Sequence, residues 1–136
     1  MNQTANRTII DSIVKVVSQD ERVLFAYLYG TVADRGEGND IDVAVYGAKN
    51  QDLHLLSADL KIALHKETGL PPDLFDIRIL NGLAEQGDLF GLLYLRDVLS
   101  SNRLLLDRDP ETRADFLETY GLRFRECEGL IQEVLS

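Results

Sequence analysis

The composition of this 136-residue chain excludes several classes of protein. With 45% hydrophobic residues it is long enough for one continuous core, so we expect a single domain, 1–136. Fourteen Lys and Arg against twenty-three Asp and Glu give a net charge of -9, which repels phosphates and argues against direct binding of nucleic acid. The single cysteine, Cys127, excludes an internal disulfide and is predicted to lie in the core. Because the chain lacks both a membrane-length apolar run and an N-terminal secretory stretch, we expect a cytoplasmic protein with no membrane partner.

Helical and strand patterns alternate along the chain. They predict, in order, a helix at about 6–19, strands at about 23–30 and 40–46, a helix at about 51–67, a strand at about 73–80, a helical stretch from about 81 to 101 that Gly87 can break, an edge strand at about 103–107, and a final helix that begins at Asp109 and Pro110. This order predicts a mixed α/β (α+β) fold in which helices pack around a small mixed sheet.

The final helix has the most regular apolar pattern in the chain. Its apolar side chains keep helical spacing almost to the last residue. This pattern favours packing against the core, although the same content also suits a groove on a partner protein. The spacing alone leaves both readings open.

Two aspartates stand in a strand that is otherwise fit for burial. In "DIDVAVY", residues 40–46, the period of two places Asp40 and Asp42 on one face and the β-branched residues on the other. Two carboxylates about 4 Å apart repel by about 4 kcal/mol at an effective dielectric near 20, so a neighbouring cation is expected. Ligand sets made only of oxygen favour Mg²⁺ or Mn²⁺. The alternative is a solvated edge strand.

A third carboxylate and a glycine turn complete the predicted site. Asp76 lies in "DLFDIRIL", residues 73–80, and joins the first two aspartates if the strands are neighbours; a surface pair with Arg78 is the alternative. Three acidic groups around two metal ions are a common arrangement for displacement at phosphorus. Before the aspartates, Gly30 lets the backbone approach a phosphate, and the Thr31 hydroxyl can donate to it.

The residues "YGT", "NDIDVAV" and "FDIRIL" together resemble the nucleotidyltransferase signature of the DNA polymerase beta superfamily. These residues are most similar to the signature of the minimal nucleotidyltransferases of bacteria and archaea, although Thr31 replaces the usual serine and the following loop is shorter. The resemblance implies a nucleotidyltransferase fold, ATP as the nucleoside triphosphate and two Mg²⁺ ions. It places Gly30 and Thr31 at the triphosphate, Asp40 and Asp42 on the metals, and Asp76 as third ligand and base.

The same resemblance implies a partner and a reaction. Members of the minimal family are often paired with HEPN-domain proteins and act as antitoxins. Some resemble protein adenylyltransferases that move AMP from ATP onto a tyrosine of the HEPN ribonuclease toxin. Two alternatives stay open, namely an antitoxin that only masks its toxin by binding, and an enzyme with a small-molecule acceptor, as in antibiotic nucleotidyltransferases.

Overall fold

The computed structural model describes residues 3–30 and 40–135, with side chains from residue 7 onward. The elements are α1 (Gln3–Gln19), β1 (Val23–Tyr29), β2 (Ile41–Gly47), α2 (Leu53–Thr68), a 3-10 turn (Pro72–Leu74), β3 (Phe75–Ile79), α3 (Leu83–Gln86), α4 (Leu89–Ser101), β4 (Leu104–Asp107), α5 (Pro110–Glu126) and α6 (Glu128–Leu135). The predicted mixed α/β fold is confirmed. Within the described ranges, no helix has the length and apolar character that crossing a bilayer requires.

The predicted break at Gly87 is confirmed. Helix α3 ends at Gln86, and a β-carbon on Gly87 would lie 2.1 Å from the Leu83 carbonyl oxygen, so only glycine fits there. The Asp88 side chain then accepts a hydrogen bond of 2.9 Å from the Gly91 amide and caps α4. The chain therefore starts a new helix instead of continuing the first.

The four strands form one mixed sheet in the order β3-β2-β1-β4. Strand β1 runs antiparallel to both β2 and β4, whereas β2 and β3 are parallel because α2 forms the crossover between them. In this register Asp42 lies opposite Tyr29 on one side and opposite Asp76 on the other. The starts of β2 and β3 therefore meet at one end of the sheet.

Each face of the sheet is covered by helices. Val43, Val45 and Ile77 point to the face that packs against α1 and α2. The other face carries Ala44 and an aromatic cluster in which Phe25 stacks on Tyr46 with ring centroids 4.8 Å apart, and α4 and α5 cover it. Because side chains alternate along a strand, Asp42 and Asp76 share this second face with Ala44.

The core packing predicted for the last helical segment is confirmed in its first part, where Phe116 is buried and Leu117 and Tyr120 pack against the same cluster, but it is wrong toward the end of the chain. The helix breaks at Cys127, which is partly exposed and not a core residue, and Phe116 and Ile131 are the buried members of α5 and α6. Phe116 packs 5.5 Å from Phe25, so the sheet is already covered where α5 passes over it. Four large aliphatic side chains of α5 and α6 are exposed, with exposed fractions of Leu122 50%, Leu130 59%, Val134 52% and Leu135 53%.

The Arg108 side chain, just after β4, links this part of the chain to the end of α1 and the start of β1. Its guanidinium donates to the backbone oxygens of Ser18 at 2.5 Å, Asp20 at 2.9 Å and Val23. We expect Arg108→Ala to lower the free energy of unfolding by about 1–2 kcal/mol, since these carbonyls lose their charged donor. Urea denaturation measures the change, with the exposed Arg7→Ala on α1 as control. A change below about 0.5 kcal/mol would show that water replaces the guanidinium without cost.

Candidate active site

The pairing of β2 with β3 brings two of the predicted site residues together. Asp42 and Asp76 are direct partners in the parallel register and project from the same face of the sheet. Asp42 is half-buried and Asp76 is exposed. Their carboxyl groups are close enough to share a hydrogen bond when one of them is protonated. The structure thus places a carboxylate pair at the end of the sheet where β1 ends and Gly30 follows.

The electrostatics of the pair indicate that it lacks compensation for its charge. Burial is the largest cause, and together with the negative charges of Asp76 and Asp40 it raises the pKa of Asp42 to about 6. The positive charge of Arg78 opposes this shift only in part. Carboxylate oxygens that repel each other in this way are the donor set that Mg²⁺ prefers, so the pair fits a divalent cation.

Asp40 stands apart from the pair. It lies just before the first residue of β2, and its side chain is exposed. Its negative charge contributes to the raised pKa of Asp42. Across residues 3–30 and 40–135, however, no three His, Cys, Asp or Glu side chains are close enough to hold one metal ion. The geometry therefore unites Asp42 with Asp76 and leaves Asp40 at the rim of the site.

Gly30 touches the carboxylate pair through its backbone. Its φ of 98° is in the left-handed region, and a β-carbon there would lie 2.3 Å from Oδ2 of Asp42. Both the backbone conformation and the space beside Asp42 therefore require glycine at this position. Thr31, the other predicted phosphate contact, lies outside the described residues.

An aromatic residue that the sequence did not single out for the site borders the pair. Tyr94 of α4 packs edge-on against Tyr29, with ring centroids 5.7 Å apart, and the guanidinium of Arg78 lies 4.3 Å from the centroid of the Tyr94 ring. Among the described residues Arg78 forms no ion pair with Asp76, so the surface pairing considered as an alternative is not observed. Tyr94 follows the apolar period of its helix, and no signal in the sequence separates it from a core residue.

Because burial raises the pKa of Asp42 from 3.8 to about 6, the stability of the metal-free protein should depend on pH. The folded state then holds the Asp42 proton more tightly than the unfolded chain does. This contribution to stability is fully present below about pH 4 and is lost as the pH rises through about 6. Since Asn stays uncharged, we expect Asp42→Asn to unfold like the wild type near pH 4 and to be more stable near pH 7.5.

The expected gain of Asp42→Asn near pH 7.5 is on the order of 1 kcal/mol, after discounting for solvent screening at a half-exposed site. Urea unfolding in EDTA at the two pH values measures it, and the exposed Asp73→Asn is the control. An equal difference between variant and wild type at both pH values would show that Asp42 titrates normally.

Several solved structures share the fold of this chain. The toxin–antitoxin complex MntA–HepT contains a chain with a TM-score of 0.57 and 17% identity, and the match covers 96% of this chain and 99% of that one. A toxin–antitoxin structure with AMP-PNP gives a TM-score of 0.59 at 16% identity, covering 93% and 98%. The tri-AMPylated HEPN toxin of Shewanella oneidensis in complex with its MNT antitoxin gives 0.57 at 16% identity, covering 96% and 99%. At these identities the likeness establishes a common fold.

The sequence itself carries the family assignment. No curated protein matches the chain. The family model described as "Polymerase beta, Nucleotidyltransferase" matches residues 11–111, which is more than half of the chain and includes β1, β2 and β3 with both members of the carboxylate pair. The chain therefore belongs to the polymerase beta nucleotidyltransferase family.

Proposed function

We propose that this protein is a Mg²⁺-dependent nucleotidyltransferase that transfers AMP from ATP to a tyrosine hydroxyl of a HEPN-family ribonuclease toxin, and so acts as its antitoxin. The observation that carries the transfer chemistry is the Asp42–Asp76 pair, with the backbone of Gly30 against it. The family assignment supports the reaction class. The structural neighbours that contain AMP-PNP and a tri-AMPylated HEPN toxin support the nucleotide and the acceptor.

The roles of the site residues follow from oxygen chemistry and position. Asp40, Asp42 and Asp76 would hold two magnesium ions, which, when bound, supply the positive charge that a triphosphate and a leaving pyrophosphate require. The missing side chain of Gly30 leaves room for phosphate oxygens next to the backbone. The Thr31 hydroxyl would donate a hydrogen bond to the same triphosphate.

The proton of the acceptor hydroxyl needs a base beside the reacting phosphorus. Asp76 suits this role because it is exposed, whereas Asp42 is half-buried beneath Gly30. In the proposed reaction the hydroxyl oxygen bonds to the α-phosphorus, its proton passes to the Asp76 carboxylate, and the bond between that phosphorus and pyrophosphate breaks in line. Positioning and charge neutralisation supply most of the rate.

A transfer assay with the HEPN partner from the neighbouring gene tests this function. Incubation with ATP labelled on the α-phosphate should place label on the partner only when Mg²⁺ is present, and the ribonuclease activity of the partner should fall as label accumulates. An acceptor variant in which the labelled tyrosine is replaced by Phe should remain unlabelled. Absence of label from wild-type partner under all metal conditions would overturn the proposed transfer.

A second candidate function is inhibition of the toxin by binding alone. It is favoured by the exposed aliphatic side chains of α5 and α6 and by the separation of Asp40 from the carboxylate pair. The same assay separates the two functions. Masking predicts that the partner is inhibited without label and that Asp42→Asn inhibits it as well as the wild type does.

A further inference from the structure

Arg78 lies on the same face of β3 as Asp76. Because the two residues are two positions apart on one strand, their Cα atoms are separated by roughly 6–7 Å. Across the strand pair, Arg78 lies opposite Ala44, which is buried in the hydrophobic cluster on this face of the sheet. Arg78 is exposed, and it is a cation beside the carboxylate pair in a chain whose net charge is -9. Among the described residues Arg78 forms no ion pair with either carboxylate, so its positive charge stands beside the pair without direct contact.

The Arg78 guanidinium is held by an aromatic ring. It lies 4.3 Å from the ring centroid of Tyr94, which is itself fixed edge-on by Tyr29. Within the described ranges, no ion pair or hydrogen bond joins the guanidinium to another residue. Stacking occupies one face of the guanidinium plane and leaves its N–H donors, which lie in that plane, able to reach a ligand.

A ligand can reach the carboxylate pair from two sides, one next to Gly30 and the other next to β3. Gly30 follows β1 and reaches Asp42 from one side, while Asp76 and Arg78 lie on β3, the first strand in the sheet order β3-β2-β1-β4. If the triphosphate lies against Gly30, as the proposed function requires, then the acceptor reaches Asp76 from the β3 side. Arg78 lies on that side.

We propose that Arg78 contacts the acceptor oxygen during transfer and stabilises the negative charge that this oxygen acquires as its proton passes to Asp76. The inference rests on the proposed function. The acceptor O–H bond breaks, its proton goes to the Asp76 carboxylate, the oxygen bonds to the α-phosphorus, and pyrophosphate leaves with the electrons of the broken P–O bond. Arg78 keeps its charge throughout, and Tyr94 is a positioning residue that orients the guanidinium.

The test compares Arg78→Gln with Arg7→Gln, which removes the same charge from an exposed position on α1, across the sheet. Transfer to the HEPN partner is measured with separate titrations of ATP and acceptor over about pH 6 to 10, and binding of a fluorescent ATP analogue is measured without acceptor. We expect Arg78→Gln to lower kcat about 10²-fold and to leave the affinity for the analogue within about twofold. The rate of the variant should also rise more steeply with pH, because the acceptor must lose its proton without a neighbouring cation.

Partial recovery of kcat in Arg78→Lys, with Arg7→Gln at the wild-type rate, would support the contact. Weaker binding of the ATP analogue by the same factor as the loss of kcat would place Arg78 at the nucleotide and overturn the inference. An unchanged kcat with an unchanged pH profile would overturn it as well. If the wild-type protein labels no acceptor, the proposed function is overturned. If the wild type is active and Arg78→Gln is equally active, only the inference about Arg78 is overturned.

Discussion

Asp42→Asn is expected to lower adenylyl transfer at least about 10³-fold while the protein stays folded. Asn keeps the size of the side chain but removes the charge that would hold a divalent cation at the triphosphate. The loss should appear in kcat/KM and should persist at high Mg²⁺, because the amide oxygen is a weaker ligand than a carboxylate. The measurement is initial-rate transfer from labelled ATP.

The exposed Asp73→Asn, in the 3-10 turn before β3, is the matched control for Asp42→Asn and should retain the wild-type rate. Since Asp42→Asn is also expected to stabilise the metal-free protein near pH 7.5, unfolding cannot explain its inactivity. A transfer rate within tenfold of the wild type would contradict the role proposed for Asp42.

Gly30→Ala is expected to damage both the fold and the site. The added β-carbon would lie 2.3 Å from Oδ2 of Asp42, and the φ of 98° is one that alanine rarely adopts. Strain and clash together should lower the free energy of unfolding by about 1–3 kcal/mol. Movement of Asp42 away from the intruding methyl group should weaken ATP binding at least about tenfold, which corresponds to about 1.4 kcal/mol.

Gly82→Ala separates strain from clash. Gly82 also has a left-handed φ, 83°, but nothing lies within 4 Å of the position of its added β-carbon. It should therefore cost stability through strain alone and leave ATP binding unchanged. Urea denaturation and calorimetric titration of ATP measure the two effects. Equal ATP affinity in Gly30→Ala and Gly82→Ala would show that the space beside Asp42 is not needed for the nucleotide.

The sequence predicted the parts of the site that depend on local geometry. The period of two in residues 40–46 is enough to place Asp40 and Asp42 on the same side as Ala44, because side-chain direction along a strand alternates. The structure adds that Asp40 precedes the strand and is exposed. A strand pattern predicts side-chain direction but does not predict at which residue regular pairing starts.

The parts that depend on tertiary contacts could not be derived from residue patterns alone, and for Asp76 only the family resemblance pointed to the contact. Asp76 is 34 positions after Asp42, and their partnership depends on the parallel register of β2 with β3, two strands that α2 separates in the sequence. The same limit applies to Tyr94, which reaches Arg78 from a helix later in the chain. The apolar period of α5 and α6 likewise indicated which side of each helix is apolar, but not that Leu130 and Val134 on that side are exposed.

Calorimetric titration of ATP is the decisive measurement of whether Asp42 and Asp76 form a divalent-cation site for a nucleoside triphosphate. We expect ATP to bind with Mg²⁺ present and EDTA to abolish the binding heat. Asp42→Asn and Asp76→Asn should each weaken ATP binding at least about tenfold, whereas Asp73→Asn should not. ATP binding that is equally tight in EDTA and in Asp76→Asn would contradict the claim.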